Sequence, residues 1–322
     1  YWSKALRVLV TGAAGLLGTE LSLQLRRAGH YVTGVDNLSR YDLLGETGIR
    51  AQHENEVLLH NAGVELVNTD VRYPSIDVEF DAIVHSAAQV CHSRKNDDPL
   101  DDYEVNIGGT LRMLEHARVR NVPLLFISSA KIYGENVSEL PVDETTPLGD
   151  QTHVTFFGAS KVAADLFAQM YGLKYNLPVG VLRPGCFTGK WALATEGQNF
   201  LPYMVHRISR GLPYTIYGYG GKQVRDLLHV SDLASACMFW LEKPSSGVWN
   251  IGGGPERAIN LDSAIAWIEE RLNRQAKVEY ALKRPGDIRC LVMNSDKFIA
   301  QYGWRPAMGL NATLDEIVEA FK

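Results

Sequence analysis

Three glycines, each three residues from the next, follow an apolar run and constrain the fold of this chain more than any other feature. The run extends from Leu6 to Val10, and the glycines are Gly12, Gly15 and Gly18. A helical pattern of leucines comes next. Glycines let a backbone turn tightly and approach a diphosphate, and a helix N-terminus supplies free N–H groups and the positive end of a dipole. The order of strand, turn and helix therefore predicts a pyrophosphate-binding βα unit. A tight turn made only for packing is the alternative interpretation.

A carboxylate follows the second predicted strand. That strand, Tyr31 to Val35, ends in Asp36, eighteen residues after Gly18. A carboxylate at this distance accepts the hydrogen bonds of an adenosine ribose. It would also repel a 2′-phosphate, which favours NAD over NADP, and nearby Arg40 keeps NADP as the alternative.

Strand and helix patterns alternate through the first half of the 322 residues. Six βα repeats with short turns predict an α/β fold with a doubly wound parallel sheet of the Rossmann type. Beyond Pro184 the strands shorten and loops separate the helices. We therefore expect a dinucleotide-binding domain at 1–183, rejoined by 228–250, and a smaller, interlocked C-terminal substrate lobe at 184–322.

The C-terminal half has a less regular pattern. Ser231 to Leu241 and Leu261 to Arg271 are predicted helices. Loops or short strands that could roof the crevice are predicted at Pro213 to Arg225, Leu282 to Arg289 and Tyr302 to Leu310. Since no low-complexity linker separates the halves, we expect the second lobe to be built onto the first.

Charge and cysteine content argue against several classes of protein. A net charge of −5, without a basic run, argues against nucleic acid as a partner, because phosphate binding depends on clustered Lys and Arg. No apolar stretch approaches roughly 18 residues and no signal peptide precedes the first strand, so we expect neither membrane insertion nor secretion. The four cysteines are scattered without metal-ligand spacing. We therefore expect free thiols, no metal site and a reducing cytoplasm.

Small and hydroxyl side chains follow two of the predicted inner strands. Ser86 to Ala88 follow the strand that ends at His85, and their size leaves room for a flat cofactor or for helix packing. Ser128 and Ser129 follow the strand Val122 to Ile127. Because the carboxyl ends of parallel strands line the ligand crevice, we expect both serine hydroxyls where the chemistry occurs.

Two adjacent glycines, Gly108 and Gly109, fall inside the predicted helix Asp101 to Arg118. Two glycines within a helix cost roughly 1–2 kcal/mol relative to alanine. We therefore expect close packing there, against another element or against the cofactor.

Taken in order, these residues resemble the extended short-chain dehydrogenase/reductase superfamily over nearly the whole chain. The motifs that carry the resemblance are Gly12-x-x-Gly15-x-x-Gly18, Asp36, Asn106, Ser128-Ser129, Ser160-Lys161 and Arg225-Asp226. Within the superfamily, the chain is similar to NAD-dependent nucleotide-sugar epimerases and dehydratases. The stretches that look closest to CDP-tyvelose (CDP-paratose) 2-epimerases are Asp36 to Arg40, Gln89-Val90, Ile107 to Leu111, Ser128 to Gly134 and Gly221 to Asp226.

The resemblance implies a role for each matching residue. Those expected to bind NAD are Gly12, Gly15, Leu16, Leu17, Gly18, Asp36, Asn37, Asp70, Val71, Ala87, Ala88, Asn106, Ser128, Lys161 and Pro184. Those expected to bind a nucleotide-diphosphate sugar, linked to CDP or UDP, are Gln89, Ser129, Asn199, Phe200, Arg225 and Arg284. Lys161 would bind the nicotinamide ribose hydroxyls, and Ser129 would bind the sugar hydroxyl being oxidised. Arginine suits the diphosphate because its planar fork matches phosphate oxygens.

One catalytic position departs from the family pattern. The general base of the family is a tyrosine four residues before the lysine, where this chain has Phe157. A phenol acts as a base only if a cation such as Lys161 stabilises the phenolate, and phenylalanine has nothing to ionise. General-base catalysis contributes about 10²–10⁴-fold, so the catalytic set Ser129, Phe157 and Lys161 should bind ligands but turn over poorly. An engineered Tyr→Phe substitution is the favoured account. Natural loss, with His153 or Tyr133 as a substitute base, is the other.

The leading function is a nucleotide-sugar epimerase that oxidises a ring carbon with bound NAD⁺ and reduces the keto-sugar again on its opposite face. A 4,6-dehydratase would carry an Asp-Glu pair after the site serine, and Ala130-Lys131 occupies those positions. A 4-epimerase and a catalytically inactive nucleotide-binding homologue are further alternatives. Apolar stripes on the helices Asp101 to Arg118 and Val162 to Tyr171 would suit the four-helix seam of a homodimer, as the resemblance also implies.

Overall fold

The computed structural model describes residues 4–39, 53–90, 98–135, 137, 141–151, 154–192, 196, 199–284 and 286–321. Within these ranges the strands are β1 (Arg7–Thr11), β2 (Tyr31–Asp36), β3 (Glu65–Asn68), β4 (Ala82–His85), β5 (Leu124–Ile127), β6 (Val179–Pro184), β7 (Cys186–Thr188), β8 (Pro213–Tyr217), β9 (Val224–His229), β10 (Gly247–Ile251), β11 (Ala258–Asn260), β12 (Lys277–Ala281) and β13 (Cys290–Leu291). The helices are α1 (Leu16–Arg27), α2 (residues 53–61), α3 (Pro99–Asp101, continued by Asp102–Gly109 and Thr110–Arg120), α4 (Phe156–Tyr175), α5 (Phe200–Ser209), α6 (Val230–Glu242), α7 (Leu261–Leu272), α8 (Asp296–Tyr302) and α9 (Leu310–Phe321).

A seven-stranded parallel sheet forms the centre of the molecule. Its order is β10-β6-β5-β4-β1-β2-β3, and every neighbouring pair is parallel. The chain builds one half outward from β1 to β3 and the other from β4 to β10. The winding direction therefore reverses between β1 and β4, and ligands bind outside the carboxyl ends of the strands at such a point. The predicted doubly wound sheet of the Rossmann type is confirmed.

The sheet is apolar on both faces because helices cover both. Val8 and Val10 of β1 pack in one cluster with Leu21 of α1 and Trp240 of α6, while Leu9 packs in a second cluster on the other face. This alternation follows from the strand, whose successive side chains point to opposite faces. The central strands β4 and β5 consist entirely of buried residues. The strand ends that carry the site are therefore anchored from both sides.

Helix α3 is irregular where it passes the sheet. Its segment Asp102–Gly109 is π-helical, a form that occurs frequently at functional sites. A Cβ on Gly109 would lie 2.7 Å from Cγ2 of Val71, so the close approach of these two residues requires glycine. The first atom that a Cβ on Gly108 would meet, at 3.0 Å, is the flexible end of Arg112. The close packing expected for the glycine pair is thus found at Gly109.

The C-terminal half forms a second lobe with its own apolar cluster. Two small sheets, ordered β11-β9-β13 and β12-β8, with β7 paired to β9, surround it together with α5, α7 and α9. Met204, Val205, Ile268 and Ile317 are fully buried there. From this lobe the chain returns through α6 to the large sheet, where β10 pairs with β6.

The two helices predicted in this half are confirmed as α6 and α7, whereas α5, α8 and α9 were not predicted. The stretch Pro213 to Arg225, predicted to form loops or short strands, contains the short strand β8 and the start of β9. Across the ranges given above, no helix combines the length and the apolar character needed to span a membrane.

Candidate active site

A cavity of about 680 Å³ lies between the carboxyl ends of the large sheet and the C-terminal lobe. Residues predicted for the cofactor that line it are Gly12, Gly15, Leu16, Leu17, Gly18, Asp36, Asn37, Val71, Ala87, Ala88 and Pro184. The residues predicted for the nucleotide sugar line it as well: Gln89, Ser129, Asn199, Phe200, Arg225 and Arg284. One cavity therefore brings together both predicted sets.

Two glycines let the first turn fold closely against the sheet edge. Gly12 has a φ of +68°, and a Cβ there would lie 2.8 Å from the backbone nitrogen of Ala87. A Cβ on Gly18 would collide with the carbonyl oxygen of Gly12. A larger residue at Gly18 would push α1 away from the turn, and one at Gly12 would push the turn away from Ala87. Gly15, the N-cap of α1, consequently borders the cavity, and no side chain of the described residues caps this helix N-terminus.

Asp36 is fixed on the cavity wall at the end of β2. Its Oδ2 accepts a hydrogen bond from the backbone amide of Ala14 over 3.0 Å, and its Oδ1 accepts one from that of Leu38 over 2.9 Å. A carboxylate here, beside a glycine turn, stands where a dinucleotide fold binds the adenosine ribose.

Asp70 is absent from the cavity lining, although its neighbours Val71 and Arg72 belong to it, and its contact with the cofactor stays a prediction. Its carboxylate accepts from the Asn37 amide over 2.8 Å and pairs with the Arg72 guanidinium over 2.9 Å. Burial disfavours ionisation, but the hydrogen bonds from Arg72 and Asn37 hold the pKa of Asp70 below its ordinary value. Asp70 thus orients Asn37 and Arg72, and Arg72 lines the cavity without having been predicted.

Asn106 is buried and also absent from the cavity lining. Its Oδ1 accepts from the backbone amide of Gln89 over 2.9 Å, and its Nδ2 donates to the carbonyl of Gln89 over 3.2 Å. Nδ2 also donates to Ser160 Oγ over 2.9 Å. The side chain therefore holds the backbone of a cavity-lining residue against α4, and its predicted contact with the cofactor stays a prediction.

The two serines after β5 point in different directions. Ser128 Oγ donates to Asp165 Oδ2 over 2.7 Å, and Ser128 does not line the cavity. Ser129 lines the cavity, and its Oγ accepts from the backbone amide of Lys131 over 3.2 Å. Its extended backbone and the 3₁₀ turn Ala130–Tyr133 set this orientation. The expectation that both hydroxyls face the crevice is therefore wrong for Ser128, whose hydroxyl is held by a buried carboxylate.

Lys161 lies beneath the cavity wall, one helical turn after Phe157. Its Nζ donates to the carbonyl of Ile127 over 2.9 Å and lies 4.7 Å from the ring centroid of Phe126. Burial lowers the pKa of Lys161 to about 7, although two nearby carboxylates act in the opposite direction. Lys161 does not itself line the cavity, whereas Ile127, whose carbonyl it binds, does. Contact with a nicotinamide ribose stays a prediction.

Of the two neighbouring phenylalanines, Phe157 belongs to the site. It is buried and lines the cavity, whereas the side chain of Phe156 is 57% exposed. Tyr133, considered as a substitute base, is buried outside the lining, and its hydroxyl donates to Asn250 Oδ1 over 2.7 Å. Burial also raises the pKa of Tyr133. Tyr133 is therefore not placed to replace the missing phenol, and His153 lies outside the described residues.

Cationic side chains gather at the end of the cavity that the C-terminal lobe covers. Lys131, Arg225 and Arg284 all line it. Arg225 pairs with Asp287 over 3.0 Å, and the guanidinium carbon of Arg284 lies 4.2 Å from the ring centroid of Tyr217. Since one carboxylate faces three cations among these residues, the positive surplus favours a phosphate-bearing ligand.

Several supporting residues were missed from the sequence. Asn55 of α2 donates its amide to the carbonyl of Ala14 over 3.0 Å and so holds the first turn. The available signal was a polar residue one helical turn before Leu59, on the buried face of α2. Tyr214, Tyr217 and Asp287 line the substrate end, in stretches where no motif marks them.

Among the described cysteines, Cys186 is the one that lines the cavity. Cys186, Cys237 and Cys290 are free thiols, and Cys91 lies outside the described residues. Burial raises the pKa of the Cys186 thiol to about 11. In the part of the chain that the structure describes, no three His, Cys, Asp or Glu side chains come together as metal ligands.

Known proteins share both the sequence pattern and the architecture of this chain. A model of the NAD dependent epimerase/dehydratase family matches residues 8–252. The CDP-paratose 2-epimerase of Salmonella typhi is 28% identical, over 94% of this chain and 95% of its own length. A solved UDP-glucose 4-epimerase of Thermus thermophilus, in complex with NAD, has a TM-score of 0.82 at 28% identity and covers 98% of each chain. One from Thermotoga maritima, with UDP-glucose, has a TM-score of 0.84 at 26% identity and the same coverage.

Proposed function

This chain belongs to the NAD dependent epimerase/dehydratase family, and from that premise we propose that it is a nucleotide-sugar epimerase. The observation that carries the proposal is one continuous cavity that includes the glycine turn at Gly12, Ser129 after β5, and the arginines Arg225 and Arg284. A dinucleotide and a nucleotide sugar can therefore meet in it. An epimerase of this kind oxidises a ring carbon and reduces it again on the opposite face.

The residues present fit NAD as the cofactor. Gly12 and Gly18 allow the first turn and the N-terminus of α1 to meet at the cavity, where N–H groups can bind a diphosphate. Asp36 stands at the ribose position, and its charge would repel a 2′-phosphate. When bound, NAD accepts a hydride from the carbinol carbon and gives it back.

We assign the remaining roles to residues of the same cavity. Ser129 binds the hydroxyl under oxidation, and Arg225 and Arg284 bind the diphosphate of the sugar nucleotide, supported by their place in the lining. Lys161 supports the strand end through Ile127 and binds the nicotinamide ribose once it exchanges that carbonyl for the ribose hydroxyls. Further substrate contacts are assigned to Gln89, Asn199 and Phe200.

The substrate that we propose first is a CDP-linked sugar epimerised at C2, as in CDP-tyvelose and CDP-paratose. The sequence stretches around Asp36 and Ser129 and the relative from Salmonella typhi support it. A UDP-glucose 4-epimerase is the second candidate, because two solved enzymes of that name are similar at 26–28% identity. Dehydration is not favoured, since Ala130 and Lys131 stand where an acid pair would be needed.

We further propose that Phe157 makes turnover slow. An engineered replacement of tyrosine would leave a protein that binds both ligands and reacts little, because the ring carries no proton to exchange. A catalytically inactive binding protein is the contrary interpretation. The hydroxyl of Ser129 and the arginines Arg225 and Arg284, all facing the cavity, favour an enzyme.

We propose a homodimer that forms through one face of α3 and α4. On α4, Leu166, Phe167, Met170 and Leu173 are 42–79% exposed, and Tyr103 of α3 is 59% exposed. Large apolar side chains at this spacing form one stripe along the helix, and exposed patches of this kind mark interfaces. The same two helices of a second copy would complete a four-helix seam.

We also propose how the chain divides into two units and in which compartment the protein works. Residues 1–183 with 228–250 would form the NAD-binding unit, supported by the pairing of β10 with β6, and 184–322 would form the lobe that binds the nucleotide sugar. The free thiols of Cys186, Cys237 and Cys290 support a reducing compartment, the cytoplasm.

The test combines ligand identification with an assay. Small molecules released from the denatured protein are identified by mass spectrometry, and the protein and its Phe157→Tyr variant are then incubated with CDP-paratose, CDP-tyvelose or UDP-glucose. We expect bound NAD and, by proton NMR, epimerisation of one of these sugars. No NAD and no conversion in either protein would contradict the proposed function.

A further inference from the structure

Lys131 packs against the first turn of α4, the turn that carries the ring of Phe157. A Cβ on Gly158 would lie 3.0 Å from the carbonyl oxygen of Lys131, and Lys131 Nζ donates to the carbonyl of Gly286 over 2.9 Å. A Cβ on Gly286 would in turn collide with the side chain of Thr155. Thr155 and Gly158 lie on either side of Phe157 along the chain, so the backbone of Lys131 contacts the first turn of α4 and its ammonium binds the loop that packs on Thr155.

The ammonium of Lys131 has more N–H donors than its hydrogen bond to Gly286 uses. It lines the cavity, and in the described part of the chain its hydrogen-bond partner is the carbonyl of Gly286. An ammonium has three N–H donors. The same 3₁₀ turn carries Ser129, whose Oγ accepts from the backbone amide of Lys131 over 3.2 Å. A hydroxyl bound to Ser129 would therefore lie against the turn that carries Lys131, whose ammonium would have to leave Gly286 to meet it.

The residues around Lys131 favour its neutral amine, the form that can accept a proton. Burial and the positive charge of Arg225 lower the pKa of Lys131 to about 8. Arg284 acts in the same direction, whereas Asp287 and Cys186 oppose it. A general base works best when its pKa lies near the operating pH.

We propose that Lys131, in place of the missing phenol, accepts the proton of the sugar hydroxyl during oxidation and returns it during reduction; this rests on the proposed function. The O–H bond breaks, and its proton joins the lone pair of the neutral amine. The C–H electron pair leaves as hydride to the nicotinamide, so the carbon becomes a carbonyl and the two electrons are conserved. Reduction on the opposite face reverses both transfers. Lys161 does not act as this base, because its Nζ binds the carbonyl of Ile127 and Lys161 itself does not line the cavity.

The test compares Lys131→Arg and Lys131→Met with the parent protein. Arginine keeps the charge but does not release a proton, so this variant separates proton transfer from charge. We expect both substitutions to lower kcat by about 50-fold or more, as loss of a general base does. The parent kcat/KM, which reports the free enzyme, should rise with pH through about 8, the pKa of Lys131, and both variants should lose this rise. Adding Phe157→Tyr to Lys131→Met should restore turnover, which also shows that the variant folds.

A binding measurement supplies a readout independent of turnover. A diphosphate bound beside Lys131 raises the pKa of the amine, so the parent should take up protons when it binds CDP or UDP near pH 8. Calorimetry in two buffers of different ionisation enthalpy measures this uptake, which Lys131→Met should lose. The Kd of Lys131→Arg for the same nucleotides should stay within about threefold of the parent, because its charge is kept.

Three results would overturn the assignment of Lys131. The first is a Lys131→Met or Lys131→Arg variant that keeps the parent kcat and the parent's rise of kcat/KM with pH. The second is turnover in Phe157→Tyr but none in the parent, which would leave the proposed function standing. The third is the absence of NAD binding and of conversion in both, in which case the two proposals fail together.

Discussion

Lys161 Nζ donates to the carbonyl oxygen of Ile127 over 2.9 Å, directly below the strand end that presents Ser129. The hydrogen bond joins α4 to β5 at Ile127, which lines the cavity. Because burial lowers the pKa of this lysine to about 7, its charge is sensitive to what replaces the carbonyl. Binding of ribose hydroxyls in place of Ile127 would couple cofactor binding to the position of α4, the helix that carries Phe157.

Phe157→Tyr should raise kcat/KM at least tenfold, but by less than the full contribution of a general base, about 10²–10⁴-fold, because Lys131 already accepts the proton in the parent. The new hydroxyl would lie on the cavity wall, since Phe157 lines it. Phe156→Tyr is the matched control and should change nothing, because that side chain is 57% exposed. Steady-state assays of both variants decide the point. A gain below tenfold for Phe157→Tyr would mean that the family mechanism does not apply.

Gly12→Ala should abolish NAD binding and destabilise the protein more than Gly29→Ala. Both glycines have positive φ, +68° and +87°, so alanine strains the backbone by about 1–2 kcal/mol at either position. A Cβ at Gly29 meets no atom within 4 Å, whereas one at Gly12 lies 2.8 Å from the nitrogen of Ala87. This overpacking adds about 1–3 kcal/mol, measurable by urea unfolding. Equal destabilisation, with NAD bound by both variants, would contradict the role of Gly12.

Asp226→Asn should remove a pH dependence of stability. Burial raises the pKa of Asp226 to about 7, and its Oδ1 has no hydrogen-bond partner among the described residues. Since the unfolded pKa is about 3.9, the folded state binds this proton more tightly. The resulting stability is complete below the unfolded pKa and is lost as the pH rises through about 7.

Urea unfolding of parent and Asp226→Asn at about pH 5 and about pH 8 checks this expectation. The free energy of unfolding of the parent should fall relative to the variant between the two conditions. A difference that does not change with pH would show that the carboxyl of Asp226 is not protonated near neutrality.

Met170→Glu should convert a dimer into a monomer. Met170 is 54% exposed in the apolar stripe of α4, and a charge buried against a second copy is strongly unfavourable. Tyr280→Glu is the control, because Tyr280 is 68% exposed on β12, away from that stripe. Light scattering at micromolar protein measures the mass. A parent that is already monomeric would contradict the proposed seam.

The first half of the fold was predictable because short stretches of sequence determine its strands and turns. The apolar run Tyr31 to Val35 became β2, Tyr31–Asp36, and the glycine spacing located the first turn. The helix α5 was missed because Pro202 follows two residues after its start. Proline is tolerated in the first turn of a helix, where its missing N–H has no intrahelical partner, and packing against α9 stabilises the remainder.

The sequence predicted which residue types form the site better than it predicted the direction in which each side chain points. Two adjacent serines at a strand end point to different sides, and the carboxylate of Asp165 behind the strand holds Ser128. The ion pair between Asp70 and Arg72, two residues further on, was likewise not predicted from the sequence. The position of Lys131 depends on the loop at Gly286, 155 residues away, which no local pattern reveals.

A crystal structure of the protein with NAD and CDP tests most directly whether a nicotinamide dinucleotide spans the cavity. We expect the diphosphate against the N-terminus of α1 after Gly12, the adenosine ribose on Asp36, and the nicotinamide beside Ser129 and Phe157. A dinucleotide bound elsewhere, or a cavity that admits none at saturating NAD, would contradict it.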